Sequence, residues 1–244
     1  MKEEDLIKEA EHALHELEKK HLRHGLDKYE KDDEEKKNPF AYLIVGILIV
    51  IIVFMAIPYY AIKLDPEPKM IPLISDVSPY GLDKLVSENP GIRKGVRDDM
   101  LNMLMPDHPV IHNLAAKIAT MSCKQDRVCY AKAMFYFVRD NIQYVNDPPH
   151  DFYESPFEIL YARGADCDGM SILLANLLIS VGMPVRFAYI PEHVYVQIKL
   201  NDAPKKYKEE DGWISLDPTC SECVFGEVPY STLNKRKEFI YINT

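Results

Sequence analysis

The stretch Arg163-Gly164-Ala165-Asp166-Cys167-Asp168-Gly169, continued by Met170-Ser171-Ile172-Leu173-Leu174-Ala175-Asn176-Leu177-Leu178-Ile179-Ser180-Val181-Gly182, sets a tight turn before a helix that is apolar almost all round. A helix with no polar face is buried. Asp166 suits its N-cap, and Gly182 with Pro184 suits its stop. Cys167 then stands in the first turn of a central helix. Unpaired N–H groups and the positive dipole end favour a thiolate there, and the same amides are placed to bind an oxyanion. A lone cysteine is more often a structural core residue. The turn-then-helix setting tips the reading toward a reactive one.

A thiolate nucleophile needs a general base, and the base needs an acceptor to orient it. Downstream, Val194, Val196, Ile198 and Leu200 alternate with His193, Tyr195, Gln197 and Lys199, which reads as a strand beginning at His193. Trp213-Ile214-Ser215-Leu216-Asp217 reads as a second strand, closed by Pro218. An antiparallel hairpin that pairs Gln197 with Trp213 also pairs Tyr195 with Ser215 and His193 with Asp217. Opposed residues share a sheet face, about 4.5–5.5 Å apart at Cβ. An aspartate at 216 or 218 would point away.

These residues resemble the transglutaminase-like (papain-like) superfamily. The resemblance covers roughly Tyr130 to Thr219 and rests on G-x-D-C-D-G, G-x-P-V-R, the E-H-V-Y-V strand and W-I-x-L-D-P-T. It implies an α+β domain of helices packed on an antiparallel sheet, here in a membrane-anchored member of prokaryotic type. It implies Cys167 as nucleophile, His193 as base and then acid, and Asp217 as the orienter of the ring. An oxyanion site is implied at the Cys167 amide, with Tyr144 as a helper. The chemistry implied is attack on an amide carbonyl of a peptide or protein through a thioester. Hydrolysis is the default outcome, because it needs no tunnel that excludes water. Amine transfer that cross-links proteins, or a silent binding module of the same fold, are the alternatives. The flanking β-domains and calcium loops of animal transglutaminases have no counterpart, and neither do the zinc-binding cysteine pairs of the peptide N-glycanase branch upstream of Cys167. No cofactor or metal is expected.

Outside this core the chain is uneven. Residues 1–39 carry nine Lys/Arg and thirteen Asp/Glu, whereas residues 40–62 carry no charge. A helix needs about 20 apolar residues to cross a bilayer, so 40–62 is expected to span, with Tyr42, Tyr59 and Tyr60 as interfacial aromatics. Lys20, Arg23, Lys28, Lys31, Lys36 and Lys37 on one side, against Lys63 and Lys69 on the other, place the N-terminus in the cytoplasm and the larger domain outside. Leu6, Ile7, Ala10, Ala13, Leu14 and Leu17 recur at helical spacing, so residues 1–39 read as a charged helical segment, either solvated or self-associating as a small coiled coil. His12, His15, His21 and His24 read as surface residues rather than metal ligands. Residues 63–106, with six prolines, read as a stalk or a packed arm, and 107–244 as the transglutaminase-like domain. Helical patterns run over His112–Thr120, Tyr130–Ile142 and Pro156–Tyr161.

The net charge of −9, with no basic stripe, argues against nucleic acid. Of the five cysteines, Cys123 with Cys129 and Cys220 with Cys223 form two closely spaced pairs, leaving Cys167 over. Disulfides, local or crossing between the pairs, agree with an outward-facing domain; a four-thiolate zinc site or free buried thiols are the alternatives.

Overall fold

The uncharged run is a single helix, α1 (Pro39–Leu64). Its stretch Phe40–Ile57 is long and apolar enough to cross a membrane, and none of it is buried. The computed structural model describes residues 14–17, 19–20, 39–93, 97–146, 152–233 and 235–242. Residues 14–17 and 19–20 are helical and exposed. The rest of the expected N-terminal helix, with His12, His21 and His24, lies outside the described residues. Two units divide the chain, Met1–Pro58 and Tyr59–Thr244.

In the second unit, α2 (Ile74–Val77), α3 (Leu82–Glu88), β1 (Ile92–Arg93) and a 3-10 segment (Arg97–Met103) precede α4 (Pro109–Ser122) and α5 (Arg127–Asn141). Then follow β2 (Gln143–Tyr144), β3 (Phe152–Tyr153), α6 (Pro156–Ala162), β4 (Gly164–Ala165), α7 (Cys167–Ser180), β5 (Val185–Ile190), β6 (His193–Lys199), β7 (Trp213–Leu216) and β8 (Glu238–Tyr241). Local capping explains the starts. Asp126 caps α5 through the Cys129 amide, and Ser155 with Glu158 forms a capping box on α6. Gly182, at φ 74, ends α7, with its N–H bonded to the Ile179 carbonyl.

Helix α7 is central. Met170, Ile172, Leu173, Leu174, Leu177 and Leu178 are all buried, which a one-sided helix cannot achieve. It packs against α4, α5 and α6 and against strands β5 and β6. The sheet runs β7-β6-β5-β8, antiparallel throughout. Val194, Val196 and Ile198 of β6 join Phe187, Ile214 and Leu216 in the core shared with α7, so helices pack on one face of this sheet. The architecture is the expected α+β arrangement with Cys167 at the tip of the central helix.

Two expectations are corrected. The compact unit begins well upstream of Asp107. Of the described residues before it, Ile74, Val77, Met100 and Met103 enter the core. A proline-rich backbone has few partners of its own, and side-chain amides supply them. Asn141 accepts from the Ile74 N–H and donates to the Pro72 carbonyl, while Asn176 does the same for the Met105 N–H and the Met103 carbonyl.

The β6–β7 register is the second correction. The pairs are Val196 with Leu216, Gln197 with Ser215, Ile198 with Ile214 and Lys199 with Trp213, two residues from the expected pairing. The observed register brings Ile198 against Ile214 in the core. It also lets the Gln197 amide donate to the Ser215 hydroxyl at 2.8 Å. Because the slip is even, every side chain keeps its face.

The arm carries one further feature. The Lys132 side chain on α5 is fully buried, and its ammonium meets Asp65 and Glu67, both at 2.5 Å. Asp65 also accepts from the Tyr207 hydroxyl and pairs with Lys206. The residue directly after α1 is thereby fastened to the domain.

Candidate active site

A two-residue turn, Pro191–Glu192, joins β5 to β6, since Ile190 pairs with His193. Glu192 adopts φ 64, a left-handed conformation that costs a side-chain-bearing residue energy. This turn aims His193 from the strand end. Asp217 lies one residue beyond β7 and is fully buried. Its Oδ2 meets His193 Nε2 at 2.8 Å. Although the two are diagonal rather than directly opposed, the shared face and the length of the imidazole close the gap.

Cys167 is the free cysteine among the described residues and is half-buried. It lies near enough to the His193 ring to act on it electrically, so one imidazole stands between sulfur and carboxylate. Burial works to lower the ring's pKa, but the bonds to Asp217 and Cys167 and their negative charge overcome it and push the ring up to about 9. The ring is therefore protonated at neutral pH, with the Asp217 carboxylate as its acceptor.

Local structure leaves one amide for an oxyanion. Asp166 Oδ1 accepts from the Asp168 and Gly169 N–H groups at 3.0 and 3.2 Å, and the Asp166 carbonyl accepts from Met170. Among the described residues no partner is recorded for the Cys167 N–H at the tip of α7. Tyr144 stands close by, because β2 pairs in parallel with β4 and sets Tyr144 beside Ala165. Its pKa is raised by burial and then by the negative charges of Cys167, Asp166, Asp168 and Asp217. The phenol therefore stays a neutral donor. Beside it opens a cleft of about 340 Å³, lined in part by Asp140, Tyr144, Met170, Pro218 and Thr219.

Sequence reasoning took Asp166 for a cap and missed the company it keeps. Glu154, Asp166 and Asp168 place carboxylate oxygens within 4.8 Å of one another, a group that could hold a cation. Burial, a hydrogen bond to Asp166 and the surrounding charge push Asp168 up to about 10. Asp168 is thus protonated at neutral pH, and that proton eases the crowding. The doubled aspartate around Cys167 was the available signal. Thr219 was also missed. Its N–H and hydroxyl both donate to Asp217 Oδ1, at 3.1 and 2.7 Å, and the D-P-T run is a turn signature that could have revealed it.

The first turn of α7 has no spare room. A Cβ at Gly169 would lie 2.7 Å from Ala165 Cβ and 2.9 Å from Glu154 Oε2. We expect Gly169→Ala to lower stability by about 1–3 kcal/mol, read as a drop in the thermal midpoint. A midpoint equal to the parent's would mean that the turn yields without strain.

The remaining cysteines pair locally, Cys123 with Cys129 and Cys220 with Cys223, so neither a crossed pairing nor a zinc site forms.

A cysteine at the tip of a buried helix, set against an antiparallel sheet, is the arrangement of a papain-like cysteine enzyme. Residues 113–218 match the family model of the transglutaminase-like superfamily. Among solved structures, LapG of Legionella pneumophila in its EGTA-treated form is similar at 17% identity and a TM-score of 0.39, over 68% of this chain and 80% of that one. LapG itself gives 17% identity and 0.38, over 68% and 82%. A candidate cysteine protease of Cytophaga hutchinsonii gives 15% and 0.33, over 61% and 58%. These likenesses are remote. Among curated proteins, none matches the chain.

Proposed function

We propose that this protein is a membrane-anchored cysteine hydrolase that cleaves amide bonds of peptides or proteins, with Cys167 as nucleophile, His193 as base and acid, and Asp217 as orienter. The observation that carries the reading is the 2.8 Å contact between His193 Nε2 and the buried Asp217 carboxylate, with Cys167 near enough to raise the ring's pKa. Cys167 Sγ, its proton held by His193, bonds to the carbonyl carbon. The Cys167 amide and the Tyr144 hydroxyl receive the developing oxyanion, a contribution commonly worth about 3 kcal/mol per donor. The C–N bond breaks as the imidazolium gives its proton to the leaving amine. Water then attacks the thioester and passes a proton to His193, and the C–S bond breaks to release the acid. An amine in place of water would give a transamidase. The open cleft beside Tyr144 admits water and favours hydrolysis.

Helix α1 anchors the protein, with the larger domain on the extracytoplasmic side. The Lys/Arg excess before the helix supports that orientation, as do the two disulfides, which persist in oxidising compartments.

The test uses the purified full chain in detergent. Iodoacetamide should label Cys167 at neutral pH, and the labelling should collapse in His193→Ala. A peptide library should yield cleavage products that Cys167→Ala does not give. Equal labelling in both forms, with no cleavage, would remove the enzymatic reading. Incorporation of a labelled amine in preference to water would move the assignment to transamidase.

A further inference from the structure

We propose that Thr219 is a positioning residue of this site, whose amide and hydroxyl together fix the rotation of the Asp217 carboxylate so that Oδ2 faces His193. The proposal rests on the catalytic reading above and deepens it. A carboxylate has two equivalent oxygens and turns easily about its terminal torsion, which is broad rather than staggered. Something must choose the oxygen that meets the imidazole. In this site both donors of Thr219 converge on Oδ1, the N–H at 3.1 Å and the hydroxyl at 2.7 Å, leaving Oδ2 for His193 Nε2 at 2.8 Å.

Those two donors matter electrostatically as well. Asp217 is fully buried, and a carboxylate taken out of water stays ionised only when donors and a cation surround it. Thr219 supplies two of the donors, and the imidazolium supplies the cation.

Thr219 is itself held firmly. It lies in the turn closed by the Cys220 N–H on the Asp217 carbonyl at 3.3 Å, and it directly precedes the Cys220–Cys223 disulfide. That disulfide loop is tied to α5, where Arg139 Nη1 donates to the Cys223 carbonyl at 2.7 Å and the Tyr136 hydroxyl accepts from the Phe225 N–H at 3.2 Å. The hydroxyl therefore acts from a braced loop.

The titratable groups facing the His193 ring are Cys167 from the tip of α7 and Asp217 from the end of β7. The Tyr195 ring lies 6.2 Å away on β6, and Asp166, Asp168 and Tyr144 are not among the main influences on the ring. Among these, only the Asp217 contact is altered directly by a change at Thr219.

The test follows the His193 ring by NMR in the full chain in detergent, with ¹³Cε1-labelled histidine and His193→Gln to assign the signal. The Thr219→Val variant keeps the shape and the N–H and removes only the hydroxyl. Its ring midpoint should fall by about 1 pH unit, and iodoacetamide labelling of Cys167 at neutral pH should slow about tenfold. Thr219→Ser should return both readouts to the parental values. A purely structural role would lower stability in Thr219→Val without moving the ring midpoint. If Thr219→Val titrates as the parent while Asp217→Ala shifts, the positioning role is overturned and the catalytic reading stands. If Asp217→Ala also titrates as the parent, the catalytic reading itself falls.

Discussion

Turnover in a His193→Ala variant should fall by about 10⁴-fold, with binding of substrate little changed. In the proposed mechanism the imidazole holds the thiol proton, delivers it to the leaving amine and takes one from water. No other described side chain bridges Cys167 and Asp217. Asp217→Ala should retain more activity, because the ring stays in place but loses the partner that raises its pKa. In the proposed mechanism the working form carries a protonated ring, so activity of the parent should persist up to about pH 9 and decline above it. In Asp217→Ala that alkaline limb should move to lower pH. Stability follows the same sign. A ring raised from 6.5 to about 9 contributes fully below pH 6.5, and its contribution is lost as pH rises through 9. Kinetics and unfolding midpoints across that window check both statements. An alkaline limb that stays in place in Asp217→Ala would show that the carboxylate does not govern the ring.

The second large effect concerns folding rather than chemistry. Asp65→Ala should destabilise the protein by about 3–5 kcal/mol, because it leaves the fully buried Lys132 ammonium short of its main counter-charge. Lys132→Met should cost far less, about 1 kcal/mol or less, since methionine fills the volume and the two carboxylates left behind reach solvent. The asymmetry is the informative part. The Lys132 cation also lies over the Tyr207 and Phe225 rings, at 5.1 and 6.0 Å from their centroids, and these cannot replace a carboxylate. Burial tends to raise the Asp65 pKa, but its bonds to Lys132, Lys206 and Tyr207 bring it below the ordinary 3.8. Its contribution is therefore complete above pH 3.8 and is lost as pH falls through the lower folded value. Denaturant unfolding of both variants in detergent tests the ranking. Equal losses would argue that the cluster acts through packing rather than charge.

Much of this was legible before any coordinates. The apolar run after Asp166 fixed the central helix, and the alternation from His193 onward fixed a strand and its inner face. Those two patterns carry most of the candidate site, since side-chain direction follows from period and capping alone. What stayed hidden depends on long-range partners. The packing of the proline-rich arm rests on Asn141 and Asn176, two amides on helices far along the chain. Strand β5 was passed over, because Val185-Arg186-Phe187-Ala188-Tyr189-Ile190 lacks strict alternation and Arg186 is buried against Gln197 and Asp211. Strand β8 is short and mostly exposed, and its neighbour decides it. The exact hairpin pairing was out of reach too, because loop length does not specify which residues meet.

That pairing leaves a rule of parity. Strands β6 and β7 met two places away from the expected match, yet His193 at the start of one and Asp217 just past the end of the other still found each other. Any shift by an even count preserves their meeting side, whereas a single-residue insertion inside either strand would turn one of them to the opposite surface. Loop exchange between this hairpin and those of kindred enzymes should therefore be forgiving in length, and odd-numbered changes within the strands themselves should not.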